Sequence, residues 1–261
     1  MIRSGTCQSS TRGARRLAVL AESGASTVDN YEFCAHWAAG RGATVLDYGC
    51  GAGQTVGILR SSGVDAYGCD VFYGGGSYEE MVPAGLRCAV RRMSDSRIPF
   101  QDETFDVVVS NQVLEHVADL DAALREIRRV LKPDGVTLNL FPHREVWREG
   151  HCGIPFLHRF RKGGRSRIYY AAALRSLGMG EWKGGKSSMQ WSRDFCSWLD
   201  QWTYYRSLEE LHVTFERHFS STEHIEREWL LARLPVGRYF PPTVQQILAR
   251  KAAGIVLVSR A

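Results

Sequence analysis

Apolar positions in the first half of this chain fall into short unbroken runs. Between them lie stretches in which apolar residues recur every three to four positions, the spacing of one helix face. Residues 44–47 (Thr-Val-Leu-Asp) form the first run, and residues 65–70, 86–92, 105–110 and 136–141 form four more. Each is predicted as a strand. The run around Asp106-Val107-Val108-Val109 is continuous rather than alternating, so both of its faces must be buried. Residues 31–39 and 54–61 read as helices. The strongest helix is predicted over 119–131, where Leu120, Ala123, Leu124, Ile127, Val130 and Leu131 share one face, Asp119 can cap the start and Pro133-Asp134-Gly135 stops it. Strands alternating with helices predict an α/β fold: a mostly parallel sheet with helices on both faces.

The pattern breaks after residue 142. Residues 143–206 carry little clean periodicity and much glycine, arginine and aromatic. Alternation then resumes with a helix over 207–217, a strand over 219–225, a helical stretch over 227–250 and a last strand over 254–259. The chain therefore divides into an arm (1–28), a core (29–142), an inserted lid or recognition region (143–206) and the remainder of the core (207–261). Its 261 residues suit one domain with an insertion.

Chemistry concentrates first where the 44–47 strand ends. The segment Val45-Leu46-Asp47-Tyr48-Gly49-Cys50-Gly51-Ala52-Gly53 leaves a strand and opens a helix. Glycines there permit unusual φ angles and let a ligand lie on bare main chain. The next strand ends in Asp70, placed to accept both hydroxyls of a ribose. A nicotinamide dinucleotide is the obvious rival. Its G-x-G-x-x-G/A fingerprint fails here in either register, because Gln54 or Val56 stands where the last small residue is needed. Asp47 would also repel a diphosphate, whereas it suits an ammonium group.

Four blocks in order, Val45 to Gly53, Ile98-Pro99-Phe100 with Phe105-Asp106-Val107-Val108, Leu114-Glu115-His116, and Arg129 to Gly135, resemble the class I S-adenosylmethionine (SAM) dependent methyltransferases of the small-molecule group. The resemblance covers residues 30–142 and resumes weakly from Ser207. It implies a Rossmann-like fold with a seven-stranded, mostly parallel sheet and an inserted lid after strand 5. It implies SAM as cofactor and S-adenosylhomocysteine as product. Asp47, Gly49, Gly51 and Gly53 would line the methionine and ribose portions, and Asp70 would hold the ribose hydroxyls. Adenine would lie near Val71, Ser94 and Asp95, although the family's usual acid falls at the position of Ser94. Asn111 and Gln112 would face the methionine end. Glu115 and His116 either satisfy neighbouring backbone groups or touch cofactor or acceptor.

The acceptor must be read from residues 143–206. That stretch holds 12 Lys or Arg against five Asp or Glu, and 12 of the chain's 28 aromatic residues, while the whole chain carries only +5. A mild overall charge does not imply nucleic acid. Cations among aromatics suit a saccharide, an anionic small molecule or a glycolipid headgroup at a membrane surface. They equally suit single-stranded nucleic acid, or a small satellite core with a solvated rim. Three histidines and two glutamates fall within residues 143–158. His143, nearest the strand end, is the first candidate base for a hydroxyl acceptor. His151 is the second, with Glu149 orienting it. A metal held by Glu149, His151 and His158 is an alternative, but the spacing matches no ligand signature and no metal is expected. The best reading is methyl transfer to oxygen of a small or glycan-like acceptor. The alternatives are an RNA or protein methyltransferase, for which the Pro-Pro-aromatic turn of amino methylases is missing after Ser110, and a non-catalytic relative. Seven scattered cysteines with no C-x-x-C pair argue against disulfides and zinc and predict a cytoplasmic protein.

Overall fold

The structure, a computed structural model, describes residues 28–73, 78–94, 97–182 and 184–261. The arm expected over 1–28, except Val28, and the adenine candidate Asp95 lie outside the described residues. In chain order the described elements begin with α1 (Asn30–Ala39), β1 (Thr44–Tyr48), α2 (Gln54–Ser61), β2 (Asp65–Asp70), a one-turn α3 (Tyr78–Met81), β3 (Val90–Arg92) and β4 (Phe105–Asn111). They continue with α4 (Leu120–Val130), β5 (Leu131–Phe141), α5 (Arg165–Ser176), α6 (Ser188–Trp202), α7 (Leu208–Glu216), β6 (Ser221–His224), α8 (Glu226–Arg233), α9 (Pro242–Ala252) and β7 (Ile255–Arg260).

The seven strands form one sheet in the order β3-β2-β1-β4-β5-β7-β6. The first five are parallel; β7 runs antiparallel between β5 and β6. Successive residues of a strand point to opposite faces, and both faces are apolar here. Val45, Val107, Val109, Leu138, Leu140, Val256 and Val258 pack with Phe33, Trp37, Val56, Leu59, Trp229 and Ala249 on one side. Leu46, Val108, Ile255 and Leu257 pack with Leu124, Ile127, Leu211 and Phe215 on the other. The chain order reverses beside β1, between its neighbours β2 and β4, so a crevice opens at the carboxyl ends of these strands.

Helix starts follow the sequence signals. Asp29 and Glu32 form a capping box on α1, Ser207 and Glu210 form one on α7, and Asp119 caps α4. Two expectations move. The strand expected at 86–92 shortens to β3, because Ala84–Leu86 makes a 3₁₀ turn. The strand expected from 136 begins at Leu131: Phe105 pairs with Leu131 and Val107 with Val136, and the shift in register between them takes up residues 132–135.

Residues 143–206 are more ordered than their pattern suggests. Helices α5 and α6 pack together over a separate apolar cluster of Cys152, Ile154, Leu157, Ala171, Trp191, Cys196 and Leu199. Arg167, almost fully buried, pairs with Asp200 across the two helices. The segment returns to the sheet where the Tyr204 N–H donates to the Glu115 carbonyl and Arg206 donates to the carbonyls of Leu114, Val117 and Ala118. The Tyr73 ring, just past β2, meets Trp202 at 5.1 Å between centroids, so the end of α6 overhangs the crevice.

Candidate active site

The loop between β1 and α2 is bare main chain. Gly49, Gly51 and Gly53 have φ of 76°, 50° and 82°, a region other residues enter only at a cost. At Gly49 there is a second reason for glycine: a Cβ would lie 2.3 Å from a Val113 methyl. The N–H groups of Gly49 and Cys50 both donate to the Cys69 carbonyl, which ties the loop to the end of β2. Asp70 completes the tie. Its carboxylate accepts from the Gly51 N–H at 2.9 Å and from the Phe72 N–H at 2.7 Å, and a carboxylate has lone pairs to spare beyond these two.

Asp47 lies deeper, only 3 % exposed. Burial pushes its carboxyl up to about 7, the Thr55 hydroxyl pulls the other way, and Asp70 adds to the rise. No Lys, Arg or His pairs with it among the described residues. A buried acid without a cation is unfavourable unless a ligand supplies one. At the end of the adjacent strand β4, the buried Oδ1 of Asn111 has no hydrogen-bond partner, and Gln112 turns the chain at φ 58° with its N–H on the Leu140 carbonyl. A carboxylate awaiting a cation, an amide oxygen awaiting a donor and a glycine cradle fit an amino-acid nucleoside such as SAM. Tyr31 of α1 lies within electrostatic reach of Asp47, and Tyr73 within reach of Asp70 and Glu115, so two tyrosines flank this crevice. Sequence reasoning missed both. Neither carries a local signal, because each reaches the site through tertiary packing.

Past the end of β4 lies a polar cluster built from two distant segments. Glu115 and His116 occupy the 3₁₀ turn Leu114–His116 after β4; Glu149, His151 and Tyr205 come from the lid. The buried Glu149 carboxylate accepts from His151 Nδ1 at 2.6 Å, from the Tyr205 hydroxyl at 2.6 Å, and from the N–H groups of His151 and Cys152. Burial alone would raise its carboxyl, but these donors, His151 first, hold it at about 2. The same contact outweighs the burial of His151 and raises its imidazole. His116 donates from Nδ1 to the Trp202 carbonyl at 2.6 Å, and its imidazole is lowered by burial. The two Nε2 atoms then face each other at 3.1 Å, with the Trp198 ring alongside His151 at 5.1 Å. Glu115 is completely buried beneath them, and burial pushes its carboxyl up to about 8.

The residues singled out from sequence therefore divide. Asp47, Gly49, Gly51, Gly53, Asp70, Asn111 and Gln112 converge on the crevice. Val71 follows Asp70 at its rim, and Ser94 is exposed where it bridges to Arg97, beyond β3. Glu149 and His151 are paired as expected. His143 is elsewhere. It is fully buried, with Nδ1 on Glu145 at 2.6 Å and Nε2 on the Arg250 carbonyl at 3.1 Å. With both ring nitrogens engaged inside the protein it offers no lone pair to an acceptor, so the geometry removes it as the base. His158 does not join Glu149 and His151 in a ligand set; its Nε2 meets the Arg144 carbonyl and its ring packs on Tyr205. The partner of His151 is His116, which lies 35 positions away.

Residues 46–138, which hold the glycine loop, both acids and the Glu-His turn, match the sequence model of the methyltransferase domain. Over these residues the chain carries a SAM-dependent methyltransferase domain. The SAM methyltransferase of Mesorhizobium loti shares the fold over 95 % of this chain and 96 % of its own, with a TM-score of 0.51 at 14 % identity. Among curated relatives, the mitochondrial arginine-hydroxylase NDUFAF5 of Mus musculus is 33 % identical over 51 % of this chain and 39 % of its own length. The ubiquinone biosynthesis O-methyltransferase of Azorhizobium caulinodans is 32 % identical over 38 % of this chain and 40 % of its own. The chain spans about two-fifths of the length of these two curated relatives. Among its described residues, no helix is long and apolar enough to cross a membrane.

Proposed function

We propose that this methyltransferase moves the methyl group of SAM to a hydroxyl oxygen of a small or glycan-like acceptor. One observation carries the reading: Glu149, His151 and His116 form a hydrogen-bonded relay beside the turn after β4, and both imidazole side chains keep part of their surface exposed. An amine or thiolate would need only positioning, whereas a hydroxyl attacks well only as its proton leaves. The relay supplies a place for that proton.

When bound, SAM supplies a methyl group already activated by a sulfonium. The chain's own residues do the rest. Asp47 holds an ammonium group, Asp70 anchors ribose hydroxyls, and the glycine main chain lies against the nucleoside. Glu149 holds the His151 ring in place through Nδ1 and stabilises its charged form, and Tyr205 fixes Glu149 in turn. His151 Nε2, paired with His116 Nε2, is the nitrogen left to take the hydroxyl proton. Trp198, Trp202 and Tyr73 limit water at the overhang. Exposed Trp147 and Trp182, together with the basic surface of the lid, suit a sugar ring or an anionic group on the acceptor.

Among relatives, the names include an O-methyltransferase and an arginine-hydroxylase, so the scaffold alone does not choose the chemistry. Calorimetry with SAM tests the cofactor half. Transfer of labelled methyl from SAM to fractionated glycans and small metabolites tests the acceptor half. Label recovered in a base-stable ether supports oxygen; label recovered only in RNA or protein refutes the proposal.

A further inference from the structure

The Nε2 atoms of His116 and His151 need a proton or a cation between them. His116 Nδ1 lies 2.6 Å from the Trp202 carbonyl, which can only accept, so Nδ1 carries the hydrogen. His151 Nδ1 lies 2.6 Å from Glu149, an ionised carboxylate that also only accepts. In neutral rings both Nε2 atoms are therefore bare, and they point at each other across 3.1 Å. Beneath them Glu115, with no exposed side-chain surface, receives no hydrogen bond at either carboxylate oxygen from a neighbouring residue. One ligand atom from each of these three side chains lies within 4.8 Å of the others.

We propose that Glu115, His116 and His151 form a binding site for one divalent first-row transition-metal ion. The distances suit it. Imidazole nitrogens sit about 2.1 Å from such an ion, which places two of them roughly 3.0 Å apart at a right angle and roughly 3.4 Å apart at a tetrahedral angle. The observed 3.1 Å falls between. Glu115 Oε1, 4.0 Å from His116 Nε2, needs a side-chain adjustment of under about 1 Å to join them. Two imidazoles and one carboxylate, with the rest of the sphere open, select Mn, Fe, Co or Zn over Mg or Ca, which prefer oxygen. Both histidines already have the outer support that metal-bound rings usually need, from the Trp202 carbonyl and Glu149. The site is reachable, since the His116 and His151 side chains keep 19 % and 25 % of their surface exposed.

The site refines the hydroxyl reading above and rests on it only for its use: a bound ion would hold the acceptor oxygen and lower its pKa, where a bare imidazole would otherwise take the proton. Binding itself needs neither SAM nor acceptor. Purified full chain, freed of metal by chelator and dialysed, is titrated with Co2+ and followed by visible absorption and by metal content after desalting. One Co2+ per chain is expected, with d–d bands of a nitrogen-containing site. Glu115→Gln should weaken binding at least tenfold, and His116→Gln should abolish the bands, both with unchanged far-ultraviolet circular dichroism. His212→Gln is the control. It alters a second histidine pair, His212 and His224, whose Nε2 atoms lie 2.6 Å apart on α7 and β6, and it should change nothing. Less than a tenth of an equivalent bound, or bands that survive both Glu115→Gln and His116→Gln, would overturn the site. SAM affinity and methyl transfer are separate measurements, so loss of either would indict the methylation reading and not the ion.

Discussion

Replacing Asp47 by Asn should make the empty protein more stable and its hold on SAM weaker. The carboxyl is 3 % exposed, and burial raises it to about 7, against roughly 3.9 for an aspartate in an unfolded chain. An acid whose folded pKa is raised costs nothing below about pH 4, where both states are protonated. The cost grows as pH rises towards 7 and is complete above it. Three pKa units at about 1.4 kcal/mol each put the full penalty at roughly 4 kcal/mol. Asn removes the charge at nearly constant shape, so at pH 8 the variant should melt higher by at least about 4 °C, and near pH 4 the advantage should vanish. SAM reverses the balance. A buried hydrogen bond from an ammonium to a carboxylate contributes about 1.5–3 kcal/mol, so Asp47→Asn should bind SAM roughly 10- to 150-fold more weakly at pH 8. In the wild type the Asp47 proton must leave before the ammonium pairs with it. Affinity should therefore fall about tenfold between pH 8 and pH 6, with proton release on binding, and both effects should disappear in the variant. Thermal melts and calorimetry in buffers of different ionisation enthalpy read all of this. A variant no more stable than wild type at pH 8, or equal SAM affinity in the two proteins, would refute the assignment.

Three further outcomes follow from the same geometry. Asp70→Ala removes the acceptor of the Gly51 and Phe72 N–H groups as well as the expected ribose anchor, so SAM affinity should drop at least about 30-fold by calorimetry; unchanged affinity removes Asp70 from the ribose. Gly49→Ala places a Cβ 2.3 and 2.5 Å from two Val113 methyls at φ 76°, which should cost about 2–5 kcal/mol and abolish SAM binding; a wild-type melting curve contradicts the packing described. Asp106, at the far end of β4, accepts from Lys132 Nζ at 2.7 Å and from the N–H and hydroxyl of Thr44. Burial opposes its charge, but these donors win and hold its carboxyl at about 2. A depressed acid stabilises above its unfolded pKa, so Asp106→Asn should lose about 1–2 kcal/mol at pH 7, and the difference should close as pH falls from about 4 to 2; a pH-independent difference in urea denaturation refutes it.

What the sequence could reveal depended on how locally each feature is specified. The β1 run, the glycine loop and Asp70 were legible because one strand, one turn and the end of the next strand define the crevice, and glycine at Gly49 is demanded by φ and by Val113 together. Helix α6 was not, although its buried Trp191, Ser192, Cys196 and Leu199 do recur at helical spacing. Its face mixes Trp with Ser and Cys, and it packs on α5 rather than on the sheet, so no clean apolar stripe stood out against the charge. The histidines make the sharper case. Closeness to the end of β5 ranked His143 above His151, and chain distance did predict proximity to the sheet. It could not predict which ring would be consumed by structure. The carbonyls of the last turn of α9 need donors, and His143 meets one of them at Arg250 while its other nitrogen takes Glu145. His151, eight residues further on, is held through one nitrogen only, and its other nitrogen meets a ring from a different strand's exit. A histidine becomes available for chemistry when the fold satisfies one nitrogen and strands the other, and that accounting can be done only after distant segments have met.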